Sequence, residues 1–481
     1  MKILKRIFKA VFNRKVIARF LFVVACLVTL AAAWIAEENW RGKRDWEAYV
    51  RYHQAHNESL DITPLVPPPV PDEENFAMTP LLKSIFGEGS EQYRLQLSAK
   101  LRLPDVQGKS LPSMGDHGSG RHIDLAAWKD YLGADPLDYL QKFDPEMREI
   151  TAASRLPQAR FPLAYGKGAA MPFPQMDPLM KLGKLFGLRA EAELQAGNTA
   201  AAFEDTITSL RMARAVSREP LIISLLVQIS LQQTAMQVIW EGLDAHKWTD
   251  AQLQTLQQEL ARADFATGLD IALRGERAAM NETIIGVIND PASLTGLTGD
   301  ASDTPVMQHI PSGFVYKNLL ELNRFYEQHV FSVVDPATHR FYPNIARKEE
   351  DALMRDISHL SISKVLERIT MPAISSVFTK AAYAQVTTDQ ALIACAIERH
   401  RLATGACPDD LAKLTPAFLE QIPVDALDGA PMHYRANPDG TYLLYSNGWD
   451  GKDDGGKIVL ETGGKHVDVT KGDWVWAGGN K

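Results

Sequence analysis

The sequence predicts a mainly α-helical fold with one transmembrane helix near its start, a body of α-helical hairpins, and a small α+β module at its end. Three observations carry this. Phe20 to Ala36 (FLFVVACLVTLAAAWIA) is apolar and uncharged throughout. From Asp177 to about Asp290, apolar residues recur at helical spacing, with short turn signals between the runs. After Gly405 the pattern becomes short alternating stretches separated by Asn, Asp and Gly.

The apolar stretch is slightly shorter than the roughly 20 residues that cross a hydrocarbon core, but Arg19 can snorkel at one end and Trp34 suits the interface at the other. Lys2, Lys5, Arg6, Lys9, Arg14, Lys15 and Arg19 precede it with no acidic residue among them, and Glu37 and Glu38 follow. The positive-inside bias then places residues 1–19 in the cytoplasm, 20–36 across a bacterial inner membrane as a single span, and the remainder in the periplasm. Ala31 and Ala33 form an A-x-A step, so a cleaved signal peptide is the rival reading. The basic region is long for a signal, and the apolar run continues through Trp34 and Ile35. In both readings the body leaves the cytoplasm.

Residues 37–71 read as a helical stalk that stops near Asp61, followed by a stiff linker carrying Pro64, Pro67, Pro68, Pro69 and Pro71. Residues 72–175 are irregular, with short helices expected over Met78 to Phe86, Glu91 to Leu97, Leu125 to Leu132 and Pro136 to Phe143. The body, 176–387, opens with helices over Leu179 to Ala196, Thr199 to Ser217, Leu221 to Leu243, Thr249 to Ala263 and Asp264 to Ile288. Turns of two or three residues make neighbouring helices antiparallel. Within it, AELQAGNTAAAFEDTITSL resembles one tetratricopeptide-type hairpin, without the usual aromatic positions. Leu221 to Trp240 is long enough for a second span, but Gln228, Ser230, Gln232, Gln233, Thr234 and Gln237 mark it as a buried core helix. Asp290 to Ser312 reads as an exposed loop. Helices follow over Phe314 to Val330, Ile345 to Ile369, and Ala373 to Ala403, the last with a potential break near Thr387.

In the final module, 388–481, a helix ends at Gly405 and Asp410 to Leu414 starts a short one. Met432 to Asn437 and Thr441 to Ser446 form a hairpin across Asn437-Pro438-Asp439-Gly440. Lys457 to Glu461 and His466 to Thr470 form another around Gly463-Gly464. The stretches AIERHRLATGACP, PVDALDGAPMHYR and YLLYSNGWDGKDDGG, with the closing DV…W, resemble the globular domain of the major pseudopilin of type II secretion systems. The resemblance covers Thr388 to Trp476. Cys407 stands where that family has tyrosine, the short prepilin leader is missing, and a long body separates module from membrane helix. The layout of the whole chain is similar to that of single-pass membrane-anchored bacterial proteins with no assigned activity. In the pseudopilin family the aspartate-rich loop binds calcium, which implies Asp450, Asp453 and Asp468 as ligands here. Several carboxylates in a Gly-rich turn suit such a hard cation. Asp450, Asp454, Gly455 and Glu461 also fall at EF-hand spacing, which Lys452 interrupts; the alternative is a solvated acidic turn.

Other clusters are plainer. Asp116, His117, His122 and Asp124 could hold a transition metal, although short Gly-rich loops collect such residues by chance. Arg274, Glu276, Arg277 and Glu282 read as a solvated or salt-bridged helix face, and so do Glu349, Glu350 and Asp351. Cys395 and Cys407 could form a disulfide outside the cytoplasm, or be two small apolar side chains; Cys26 lies in the span. Nucleophile-elbow, P-loop, dinucleotide and C-x-x-C motifs are absent. The net charge is −8 although the tail is basic, so the body is more acidic still and unsuited to nucleic acid. The expectation is a membrane-tethered envelope scaffold that binds an envelope protein, with the pseudopilin resemblance implying a link to secretion. An extracytoplasmic hydrolase using the 116–124 cluster and an atypical pseudopilin are the alternatives.

Overall fold

The structure, a computed structural model, describes residues 14–87, 89–289, 311–356, 365–464 and 466–478. Most of the expected Asp290 to Ser312 loop and the middle of the expected Ile345 to Ile369 helix lie outside these ranges. The helices are α1 (Arg14–Ala55), α2 (Pro80–Lys83), α3 (Glu91–Lys100), α4 (Leu125–Leu132), α5 (Pro136–Leu140), α6 (Asp144–Ala153) and α7 (Met176–Gln195). They continue as α8 (Thr199–Val216), α9 (Ile222–Asp244), α10 (Asp250–Leu260), α11 (Phe265–Asn289), α12 (Ser312–Phe325), α13 (Pro343–Asp356) and α14 (Val365–Thr404).

Helix α1 joins the apolar stretch and the charged segment after it without a break. Phe20, Leu21, Phe22, Leu27, Val28 and Leu30 are bare. Its apolar window has a mean hydropathy of 2.2 and none of it is buried, so the helix is long and apolar enough to cross a membrane. The second half is no free stalk. Trp46 and His53 are buried against the body, where α1 packs along α12. Glycine is required at this crossing: a Cβ on Gly42 would lie 2.7 Å from the Gly313 carbonyl oxygen, and one on Gly313 would lie 2.3 Å from that of Glu38. The Gly313 N–H donates to Asn39 Oδ1 at 2.7 Å, and Trp34 meets Phe314 edge-on at 5.8 Å.

Two helices form the centre. Sixty-seven per cent of the apolar window of α9 is buried, so the segment long enough to be a second span is a core helix. The other is α14, whose Ala381, Ala382, Ala384, Ala391, Ala394 and Ala396 are all buried. Small side chains let other helices approach it closely from several sides. Gln232 Nε2 donates to Thr388 Oγ1 at 3.3 Å where the two pack. No break occurs near Thr387: the helix runs on from Val365 to Thr404, with the Thr387 and Thr388 hydroxyls bonded back to the Tyr383 and Ala384 carbonyls. Residue 387, taken above as a module boundary, therefore lies inside one helix. A single apolar cluster runs from Ala190 through both central helices to Trp476.

Residues 72–175 form a second cluster. Phe76, Leu82, Trp128, Phe143, Met147, Ile150 and Phe161 cover α7 and α8 at Leu182, Phe186, Met212 and Val216. The proline segment is not a free linker: Ile62 is buried, and Arg160 Nε donates to the Pro67 carbonyl at 2.8 Å.

At the C-terminal end of the chain, β3 (His433–Ala436), β4 (Tyr442–Ser446) and β7 (Trp474–Gly478) make an antiparallel sheet in the order β3-β4-β7. A separate pair joins β5 (Ile458–Leu460) to β6 (Val467–Gly472), and β1 (Val334–Asp335) pairs with β2 (Arg340–Phe341). The sheet rests on α14, where Gln390 Nε2 donates to the Trp474 carbonyl at 2.7 Å. Cys395 and Cys407 are both free thiols. Cys395 is fully buried on α14, where burial pushes its thiol up to about 12. The Cys407 thiol donates to the Gly440 carbonyl at 3.4 Å. No bridge joins the two in this structure.

Replacing Gly42 by valine should push α1 off α12. Amides in 37–55 and 312–325 should then exchange about tenfold faster in hydrogen-exchange mass spectrometry, while those of α9 and α14 stay unchanged.

Candidate functional site

The structure separates the residues of the Gly-rich 116–124 loop. Asp116 Oδ2 accepts the Val467 N–H at 3.0 Å and ties the loop to β6. His117 is buried between Tyr383 and Trp476, with ring centroids 6.4 and 5.4 Å away. Burial pushes its imidazole down to about 4, so it stays neutral at physiological pH. His122 turns to α9 instead, with Nδ1 at 3.3 Å from Glu241 and Nε2 at 3.5 Å from Asp244. Asp124 caps α4 through the Ala127 N–H. The four side chains are thus engaged by separate elements: β6, the Tyr383–Trp476 pair, α9 and the start of α4.

Beneath His122 lies a pair that sequence reasoning missed. Glu241 accepts from the Ile123 N–H at 2.8 Å and from Gln237 Nε2 at 2.7 Å. Glu191 is buried beside it, and burial together with the Glu241 charge pushes its carboxyl up to about 9. Two adjacent buried carboxyls share one negative charge, so Glu191 is the protonated member.

The aspartate-rich loop is organised around a residue outside the expected ligand set. Asp473 is fully buried and accepts backbone N–H groups from Asp454, Gly456 and Lys457, with Gly456 at 2.6 Å. Burial raises its carboxyl although these donors oppose the shift. The three expected ligands point to separate partners. Asp450 accepts from the Lys452 N–H, Asp453 from the Gly455 N–H and the Tyr445 hydroxyl, and Asp468 from Thr470 and Lys471. A loop whose amides point inward surrounds an anion, whereas a calcium cage needs oxygens pointing inward. Asp450, Asp453 and Asp468 are not brought together.

The charged face on α11 behaves differently from a solvated one. Arg277 is 1 % exposed. Its guanidinium reaches Glu58 at 2.9 Å and Glu327 at 3.8 Å. Arg274 adds contacts to Glu58 at 3.3 Å and Asp270 at 2.8 Å. His53 of α1 stands between the same two carboxylates, with Nδ1 2.8 Å from Glu58 and Nε2 3.0 Å from Glu327. Only the doubly protonated ring donates to both. The Tyr49 hydroxyl also bonds Glu327. Burial pushes the Glu58 carboxyl up, but the bonds from Arg277 and His53 outweigh it and leave a net downward shift. Of the clusters read as charged faces, Glu349 pairs with His329 at 2.5 Å and Glu350 accepts from Ser375 at 2.9 Å.

Among the described residues, His53, Glu58 and Glu327 form the one group of three whose ligand atoms lie within 4.8 Å of one another. As a metal centre the donor set fits poorly. Each imidazole nitrogen already faces a carboxylate, and Arg277 supplies positive charge where an ion would sit. As an ion-pair clamp it sets the Arg277 guanidinium and the His53 ring against two carboxylates, with Arg277 Nε and Nη1 left without a hydrogen-bond partner. It joins α1 (His53), the turn after it (Glu58), α11 (Arg277) and the π-helical turn Tyr326–Val330 that follows α12 (Glu327). The sequence gives no sign of this meeting, because His53 and Glu58 lie more than two hundred residues before Arg277 and Glu327. No family model, no curated protein and no solved structure matches this chain.

Glu58→Gln would leave Arg277 undercompensated and should cost about 3 kcal/mol by chemical denaturation. The double change Glu58→Leu with Arg277→Met should cost less than the single one. In the parent protein the contribution of Glu58 is present above the ordinary carboxylate pKa and fades as pH falls through the lowered one. In the loop, Asp473→Asn should lower the melting temperature more than the same change at Asp450, Asp453 or Asp468. Added calcium should leave the parent melting temperature unchanged.

Proposed function

We propose that the protein is a membrane-anchored scaffold of the bacterial envelope, with residues 1–19 cytoplasmic, one span, and the body in the periplasm binding an envelope protein. The observation that carries this is mechanical. The bare apolar half of α1 continues, without a flexible joint, into a half that is fixed to the body at Gly42–Gly313 and at the His53–Glu58–Glu327–Arg277 clamp. A body fixed to its anchor helix holds a constant orientation to the bilayer, which suits a docking platform more than a tethered enzyme that searches for substrate. The basic residues before the span and the acidic pair after it support the cytoplasmic placement of the N-terminus. The likeness of Thr388 to Trp476 to pseudopilins suggests a secretion-linked partner.

A phosphatase reporter that is active only outside the cytoplasm, fused after Lys481, should be active in cells. A fluorescent protein that matures only in the cytoplasm should be dark at the same position. The reverse pattern would remove the periplasmic body and the envelope partner together.

A further inference from the structure

We propose that a cleft between α8, α10 and the proline segment binds an acidic peptide segment of a partner protein. Two adjoining cavities, of about 770 and 380 Å³, share Arg214, Ser217, Arg218 and Arg262 as walls. Arg155 and Arg211 complete the larger one, which therefore carries five arginines. The smaller one is more apolar, bounded by Leu65, Pro67, Pro68 and Ile271.

The charges do not balance inside the protein. Glu259 is the carboxylate for three of the guanidiniums, at 2.8 Å from Arg211, 2.5 Å from Arg214 and 3.6 Å from Arg262. Arg155 pairs with Glu204 at the surface. Arg218 is exposed and has no carboxylate partner among the described residues. Arg211 and Arg214 lie one turn apart near the end of α8 and Arg218 follows in the turn after it, spaced to meet several separate charges. In a chain of net charge −8, this positive surplus makes the cleft the place where an anion is attracted.

The N-terminus of α11 lines the smaller lobe at Asp264, Thr267 and Gly268, whereas the arginine lobe is approached by the C-termini of α6, α8 and α10, which end at Ala153, Val216 and Leu260. Their dipoles disfavour a compact dianion such as phosphate, which helix N-termini hold. Carboxylates spread along a chain meet a separate guanidinium each, whereas a compact dianion concentrates its charge at one point. A second observation points the same way. Gln228 is 4 % exposed and lines the smaller cavity, yet its Oε1 has no hydrogen-bond partner. That acceptor needs a donor, which the N–H groups of a peptide backbone supply along its length. The ligand is thus a chain with carboxylates for the arginine lobe, an apolar side chain for the Leu65–Ile271 lobe, and amides between them.

The inference deepens the scaffold reading by naming its partner's chemistry. Its test is independent of compartment, so failure here and failure of the reporter assay are distinguishable. Full-length protein in detergent would be titrated against a fluorescent peptide of alternating glutamate and leucine, with the lysine–leucine analogue as control. The acidic peptide should bind, weaken as salt rises, and lose about fivefold in affinity for each of Arg218→Ala and Arg155→Ala, both surface changes that leave the melting temperature unaltered. The lysine analogue should not bind. Equal binding by the variants, or none by the parent, would overturn the proposal. So would displacement of the peptide by millimolar inorganic phosphate, which would make the cleft a small-anion site.

Discussion

The packing of α9 against α14 is the constraint on which the rest of the molecule depends. Each is apolar around nearly its whole circumference, so neither can remain at a surface in water. Everything else in the body is a cover. Helices α7 and α8 close one side of α9, α10 and α11 close the groove between the two rods, and the β3-β4-β7 sheet closes the late part of α14. Some of the polar side chains these rods carry bond within the same contacts, as in the Gln232–Thr388 bond and the Gln390 bond to the Trp474 carbonyl, while Gln228 Oε1 and Gln237 Oε1 find no partner. A glycine on α11 shows how closely the cover fits: a Cβ on Gly275 would lie 1.7 Å from the Pro220 carbonyl oxygen.

Charge buried at the edges of this core is neutralised in three ways, each of which gives its region a different character. At the anchor, Arg277 and His53 face Glu58 and Glu327, and the ion pairs fix four chain segments together. Under His122, two carboxyls share a proton because no cation reaches Glu191. In the C-terminal loop, backbone amides enclose Asp473, so the surrounding aspartates are free to form ordinary turns. The arginine cleft is the exception, with more guanidiniums than carboxylates to match them.

Legibility in the sequence followed the range of the interaction. Helices α7 to α11 were readable to within a few residues, because period, turn residues and caps are local; Thr249 even forms the reciprocal cap with Gln252 that its spacing suggests. The glutamines of α9 correctly separated a core helix from a membrane span. The first hairpin of the C-terminal region was equally plain from Asn437 to Gly440. Less was legible in 72–175, where short helices gain their order from packing on α7 and α8. The site was the least legible part. His117 looked like a ligand and proved to be buried under Trp476. Arg277 looked solvated and is among the most buried cations of the chain. Asp473 stood unnoticed at the edge of the loop it organises.

By itself the sequence determined the class of the chain: an apolar helix long enough to span a membrane, a helical body, and a small sheet-bearing end. Those features follow from the order of apolar and polar residues along a few turns, which acts before any long-range contact forms. Tertiary structure alone decided that α1 is fixed to the body at Gly42 and His53, that α14 runs unbroken through residue 387, and that five arginines share one cleft. These are meetings between segments far apart in the chain, and only the closing of the core over α9 and α14 brings them within reach.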